Sequence, residues 1–169
     1  MNTISGRAWV FGDDVDTDVM APGRYFKASL AEMAQHCLEA IEPRFAREVR
    51  AGDIVVGGQR FGVGSAREQA AMVLTHLGVG AVLAVSFGRI FYRNALNFGL
   101  PALVVPAAAD FVTGDEVEVE PFTGRIRNRT RGLEYTVAAI PEHLMDMVAA
   151  GGLMPYLKRR LTMPPREPR

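Results

Sequence analysis

Apolar residues recur along this chain in two patterns: short unbroken runs, and the wider spacing of a helical face. The unbroken runs occupy residues 54–56, 81–87 and 102–105 and have the length typical of strands covered on both faces. Helical spacing between them predicts helices over residues 66–77 and 89–98, each followed by a glycine. The order strand, helix, strand, helix, strand indicates parallel pairing through right-handed crossovers.

The N-terminal segment predicts one further strand and one further helix. Residues 4–11 have the pattern of a strand and lead into an acidic turn over residues 12–18. A helix is predicted from Ser29, because Ser29 and Glu32 fit a capping box and apolar residues follow at helical spacing as far as Ile41.

The C-terminal third has a different pattern, in which short strands alternate with turn residues. Its predicted strands are residues 117–119, 124–127 and 133–137, arranged as an antiparallel hairpin or meander, and residues 141–150 and 153–161 follow as helices. The whole pattern predicts an α/β fold, with a mostly parallel sheet flanked by helices and a small antiparallel element.

Composition places the chain among ordinary globular proteins. Its 169 residues suit a single core, so we predict one domain over residues 1–162 and a disordered, proline-rich tail over residues 163–169. Hydrophobic residues make up 49% and charged residues 22%, and 19 basic residues balance 19 acidic ones, which does not favour a nucleic-acid-binding or membrane-surface protein. Because no membrane-length apolar run or signal-peptide pattern is present, we predict a cytoplasmic location.

The most informative stretch is residues 57–70, GGQRFGVGSAREQA, a glycine-rich loop that leads into a predicted helix. Glycine permits positive φ and lets a ligand approach the backbone closely. Ser65 and Glu68 fit a capping box, and the helix start with Arg67 beside it favours a carboxylate or phosphate. The alternative is that Ser65 is only a helix cap and Arg67 only a solvated residue of the first turn.

The other candidate residues point less clearly to chemistry. The acidic turn lacks the glycine and the later glutamate of a calcium loop, so its carboxylates are predicted to bind local amides. The lone Cys37 excludes an intrachain disulfide and any cluster built from several thiolates of this chain, and it is predicted to be a small buried residue. In residues 86–101, Arg89 and Arg93 lie four positions apart on a predicted helix that starts where a strand ends.

Three segments taken together carry a family resemblance: GDDVDTDVMAPGRYF, GGQRFGVGSAREQA and SFGRIFYRNALNFGLP. In this order and spacing, over residues 6–106, they resemble the small subunits of 3-isopropylmalate dehydratase and homoaconitase, the swivelling domain of the aconitase superfamily. The resemblance implies a swivelling β/β/α fold and a larger partner subunit that holds a 4Fe-4S cluster. It also implies a hydro-lyase that dehydrates and rehydrates a small 2-hydroxy acid.

The resemblance also implies roles for individual residues. The family's catalytic base falls on Ser65, one binder of a substrate carboxylate on Arg67, and a second on Arg24. Two positions depart from the family pattern at the substrate site: Ala66 replaces a serine, and Phe26 replaces a leucine in the region that relatives use to discriminate substrates. No residue of this chain is expected to bind a metal.

Several functions are compatible with these residues. The first is the small subunit of isopropylmalate isomerase in leucine biosynthesis, active only with its large subunit. Homoaconitase, or a dehydratase of another substituted malate, is the alternative within the same class. Ala66 and Gln69, which replaces a common histidine, also fit an anion-binding regulatory module without catalysis. Self-association of the isolated chain is compatible with the sequence as well.

Overall fold

The computed structural model describes residues 2–162. Its strands are β1 (Ile4–Val10), β2 (Ile54–Gly57), β3 (Ala81–Ala84), β4 (Ala102–Val104), β5 (Glu116–Glu120), β6 (Arg125–Asn128) and β7 (Leu133–Thr136). They form one sheet in the order β4-β3-β2-β1-β5-β6-β7. Strands β1 to β4 are parallel, whereas β5 pairs antiparallel with β1 and continues into β6 and β7.

Helices connect the parallel strands, and two more follow the last strand. They are α1 (Thr17–Met20), α2 (Leu30–Ala34), α3 (Phe45–Glu48), α4 (Glu68–His76), α5 (Arg89–Asn97), α6 (Glu142–Ala149) and α7 (Leu153–Thr162). Among the described residues, no helix is long and apolar enough to cross a membrane.

The sheet has a separate apolar core on each face. Because side chains alternate along a strand, Val55 and Val82 join the core formed with α2, α3 and α4, while Ile54 and Leu83 join the core formed with α6. This two-sided burial explains why β2 and β3 consist entirely of buried residues. The predicted fold class is confirmed, and its antiparallel element extends the same sheet through β1 and β5.

Two predicted helices have different bounds in the structure. Ser29 caps α2 as predicted, since its hydroxyl accepts from the amide of Glu32 at 3.1 Å. However, α2 ends at Ala34, because Leu38 adopts a φ of 59° and its amide donates to the carbonyl of Val19 at 3.0 Å. The helix predicted over residues 66–77 begins instead at Glu68.

Cys37 is fully buried in the core beside α2, as predicted. Burial raises the pKa of its thiol above the usual range, so the side chain behaves as a small apolar group. The tail predicted to be disordered, residues 163–169, lies outside the described residues.

Candidate active site

The glycine loop (residues 58–67) and the acidic turn (residues 12–18) meet at the carboxyl ends of β1 and β2. Backbone hydrogen bonds join them along their length. The amide of Asp14 donates to the carbonyl of Gln59 at 2.8 Å, and the amide of Gly62 donates to the carbonyl of Val15 at 2.7 Å. The amide of Thr17 donates to the carbonyl of Val63 at 2.9 Å. The acidic turn therefore acts as a second layer that fixes the shape of the glycine loop.

The carboxylates of the acidic turn bind other residues of the chain, but only Asp16 binds a local amide as predicted. Asp13 accepts from the amide of Gln59 at 2.7 Å, and Asp16 accepts from the amide of Val19 at 3.0 Å and so caps α1. Asp14 pairs with Arg60 of the glycine loop, with Nη2 and Oδ2 2.8 Å apart. Within residues 2–162, no group of three or more His, Cys, Asp or Glu side chains is arranged to hold a metal ion.

Gly62 and Gly64 show why the loop is rich in glycine. Their φ angles are +81° and +113°, a region that other residues rarely adopt. A Cβ atom on Gly62 would lie 2.2 Å from the ring of Phe91 in α5, so a larger residue would push the loop away from that helix.

Ser65 lies near the end of this loop. Hydrogen bonds hold its backbone, and its side chain is exposed. Its carbonyl accepts from the hydroxyl of Thr17 at 3.1 Å and from the amide of Arg67 at 2.7 Å, whereas its own hydroxyl bonds to no side chain or amide of residues 2–162. The predicted capping box is therefore wrong. Arg67, in an extended conformation, occupies the N-cap position of α4, because the helix starts two residues later than a Ser65 cap requires.

Arg67 is held by contacts on several sides. Its guanidinium pairs with Asp18, donates to the carbonyl of Ala21 at 3.3 Å and lies 4.6 Å from the ring centre of Phe26. Only 19% of the side chain is exposed. The structure therefore brings the predicted residues Arg67 and Phe26 together, and it places Asp18, a carboxylate of the acidic turn predicted to bind a local amide, on the guanidinium of Arg67.

Arg24 lies in a more open setting. Its guanidinium pairs with Glu39 and lies 5.0 Å from the ring centre of Tyr25, with 67% of the side chain exposed. Glu39 also contacts Nδ1 of His36 at 2.7 Å, and His36 stacks on Tyr25 at 3.8 Å. The hydrogen bond from His36, and then that from Arg24, hold the pKa of the Glu39 carboxyl below its usual range despite some burial.

A groove of about 320 Å³ lies beside Arg24. It is lined by Asp16, Asp18, Val19, Pro22, Gly23, Arg24, Glu39 and Ala40. Arg24 borders the groove, and so does Asp18, the partner of Arg67, whereas Arg67 itself does not line it. Ala66 is exposed between Ser65 and Arg67. Glu39 was missed by sequence reasoning because it lies 15 positions from Arg24, inside a helix predicted to be regular.

Comparisons with known proteins show the family of the chain. The profile of the aconitase C-terminal domain matches residues 27–108. The 3-isopropylmalate dehydratase small subunit of Moorella thermoacetica is 48% identical over 94% of this chain and 96% of its own length. The methanogen homoaconitase small subunit of Methanothermobacter thermautotrophicus is 50% identical over 92% of this chain and 91% of its own length.

A solved structure gives the same result for the fold. The crystal structure of 3-isopropylmalate dehydratase from Methanocaldococcus jannaschii superposes with a TM-score of 0.89 and 40% sequence identity, covering 95% of this chain and 96% of that one. The chain therefore belongs to the aconitase superfamily, among the small subunits of the 3-isopropylmalate dehydratase type.

Proposed function

We propose that this chain is the catalytic small subunit of a heteromeric hydro-lyase that interconverts 2-isopropylmalate and 3-isopropylmalate in cytoplasmic leucine biosynthesis. The observation that carries the proposal is Ser65, an exposed serine whose own hydroxyl is free of bonds within residues 2–162 and whose backbone is fixed two residues before Arg67. Residues 1–162 would act as one swivelling domain.

The residues of this chain do not fit a 4Fe-4S cluster. Such a cluster needs several thiolates, whereas the single Cys37 is fully buried and its thiol has a raised pKa. We therefore place the cluster in the large partner subunit. The roles proposed below belong to this chain alone.

Ser65 is the proposed base. Removing a proton from carbon next to a carboxylate requires a base within hydrogen-bonding reach, because negative charge grows on a group that is already anionic. An alkoxide on Ser65 would be stabilised by the amide end of α4, a helix of nine residues, and by the cation of Arg67. The absence of a capping bond leaves the Ser65 hydroxyl free for this role.

Arg67 and Arg24 are the proposed carboxylate clamps. A guanidinium binds a carboxylate through two parallel hydrogen bonds. In the structure each arginine pairs with a carboxylate of the chain, Arg67 with Asp18 and Arg24 with Glu39. Substrate carboxylates would compete with these internal partners, and more easily at Arg24, because pairs between exposed side chains are weak.

The groove favours isopropylmalate as substrate. Val19, Pro22 and Ala40 give it apolar surface for a branched alkyl group. Once Arg24 holds one substrate carboxylate, a third carboxylate, as in homoaconitate, would find no further cation among the lining residues, and Asp16 and Asp18 add negative charge there. Lys27 is exposed and does not line the groove.

The test is a substrate panel for the complex. The chain is co-expressed with a candidate large subunit and purified without oxygen, and turnover is measured with isopropylmalate and homoaconitate. We expect isopropylmalate to have the higher kcat/KM. A preference for homoaconitate would make homoaconitate the substrate in place of isopropylmalate. The 50% identity to a homoaconitase small subunit is compatible with that outcome.

The non-enzymatic alternative gives a different result in the same experiment. A regulatory module that uses Arg67 and Arg24 only to bind anions predicts dicarboxylate binding without turnover by the complex. The free hydroxyl of Ser65 favours the enzyme, since an anion-binding module has no need of a base.

A further inference from the structure

A second cavity, of about 370 Å³, lies between α5 and α6. Helix α6 packs against the core on the face of the sheet opposite to α4, and no residue of the Arg24 groove lines this cavity. Its volume is in the range of small-molecule sites. The function proposed above makes no use of it.

One wall of the cavity carries uncompensated positive charge. Arg89 and Arg93 line it four positions apart on α5, a spacing that places both side chains on the same face of the helix. Many other arginines pair with a carboxylate, as Arg60 does with Asp14 and Arg131 with Asp115. Neither Arg89 nor Arg93 makes an ion pair within residues 2–162, and no carboxylate lines the cavity.

Apart from Asn97, the other lining residues are apolar or aromatic. Leu96 of α5 is 3% exposed and Met147 of α6 is 7% exposed, and Leu144 lies half-buried beside them. Tyr92 adds a half-buried ring that packs against Phe87 at 5.5 Å between centroids. An apolar surface next to two cations matches a ligand with an apolar body and one anionic head group.

We propose that the cavity between α5 and α6 binds a small amphipathic carboxylate, with its head group on Arg89 and Arg93 and its hydrocarbon part against Leu96, Leu144 and Met147. Two guanidinium groups on one helix face can share a carboxylate through charge-assisted hydrogen bonds. Burial of the hydrocarbon part supplies the remaining affinity. The site is separate from Ser65, so it stands or fails independently of the proposed reaction.

The experiment follows the methyl group of Met147 by NMR in the full-length chain carrying ¹³C-methyl methionine. Met147→Leu assigns the signal, and the methyl group of Met33, buried in the core on the other face of the sheet, is the internal control. Hexanoate is the probe. Acetate retains the charge without the hydrocarbon part, and hexanol retains the hydrocarbon part without the charge.

We expect hexanoate to shift the Met147 signal saturably with a Kd below about 1 mM, while Met33 does not move and acetate and hexanol have little effect. Arg93→Gln should weaken hexanoate binding about tenfold or more. Arg159→Gln, the same charge change on the exposed helix α7, should leave it unchanged. If Arg93→Gln fails to fold, Arg89→Gln takes its place.

Three results would overturn the proposal. The first is an unmoved Met147 signal at saturating hexanoate. The second is equal binding by the wild type and a folded variant at Arg89 or Arg93. The third is a Met147 shift caused by the large subunit together with loss of hexanoate binding, which would make the cavity a contact between subunits.

Discussion

The glycine loop and the segment that carries Arg24 (residues 22–28) meet where Arg67 lies against the ring of Phe26, but they are held in very different ways. The glycine loop is bonded along its length to the acidic turn, and its arginine, Arg67, is 19% exposed with contacts on several sides. Arg24 is 67% exposed and depends mainly on Glu39. We infer that the proposed chemistry lies on the rigid region and substrate choice on the adaptable one.

This difference has an energetic basis. Water screens an ion pair at the surface, and Arg24 is 67% exposed, so a substrate carboxylate can displace Glu39 from it at little cost. Moving Arg67 would break its pair with Asp18, its bond to Ala21 and its contact with Phe26 together. Substitutions in the glycine loop should therefore have larger effects than substitutions around Arg24.

The largest effect is expected for Ser65→Ala. Loss of the proposed base should lower kcat of the complex by a factor on the order of 100 to 10,000, with little change in KM. The melting temperature should not fall, because the hydroxyl makes no bond within residues 2–162. The matched control is Ser5→Ala, because Ser5 lies at the amino end of β1, whereas the glycine loop lies at the carboxyl end. This variant should be fully active. Near-normal turnover of Ser65→Ala would remove Ser65 from the reaction.

Arg67→Lys should have the next largest effect. An ammonium group cannot replace the two-pronged geometry of a guanidinium, so KM should rise about tenfold or more, with a smaller fall in kcat. Arg60→Lys makes the same exchange within the same loop, at an exposed pair with Asp14, and should change KM by less than about twofold. Equal KM values for the two variants would show that Arg67 does not bind substrate.

Glu39→Gln tests the adaptable region. Removal of the Glu39 charge makes the groove less negative, which favours the substrate with the additional carboxylate, so the ratio of kcat/KM for homoaconitate to that for isopropylmalate should rise about three- to fivefold. Glu42→Gln, which removes a similar pair with Arg44 outside the groove, is the control and should leave the ratio unchanged. An unchanged ratio in Glu39→Gln would mean that Arg24 does not sense the substrate.

The smallest effect is expected for Lys27→Ala. Lys27 is exposed and does not line the groove, so kcat/KM for isopropylmalate should change by less than about tenfold. Lys158→Ala on α7 is the matched control. A strong preference of the wild type for homoaconitate that Lys27→Ala abolishes would place Lys27 at the substrate.

Much of the fold follows from the sequence, but the finer geometry of the site does not. The buried strands β2 and β3 and helix α5 are predictable, because apolar runs and helical spacing report burial directly. The pairs Arg67–Asp18 and Arg24–Glu39 join residues far apart in sequence, and no local pattern marks them.

Ser65 illustrates the same limit within one motif. A capping box is a local pattern, yet the contacts of the glycine loop with the acidic turn outweigh it and start α4 at Glu68. The glycine-rich loop and the family resemblance pointed to Ser65 and Arg67 from the sequence alone. The ion pairs that Asp18 and Glu39 make with the two arginines are visible only in the structure. Their pairings with the two arginines turn the list of candidate residues into a hypothesis about specificity.

The central claim is that this chain supplies the base and the carboxylate clamps of an enzyme completed by a large subunit. The most direct test measures isopropylmalate isomerisation by the chain alone, by the cluster-loaded large subunit alone, and by mixtures with increasing amounts of the chain. The account predicts no activity from either component alone, and activity that rises with added chain until it saturates. Turnover by the chain alone, or none at any ratio of the two subunits, would contradict it.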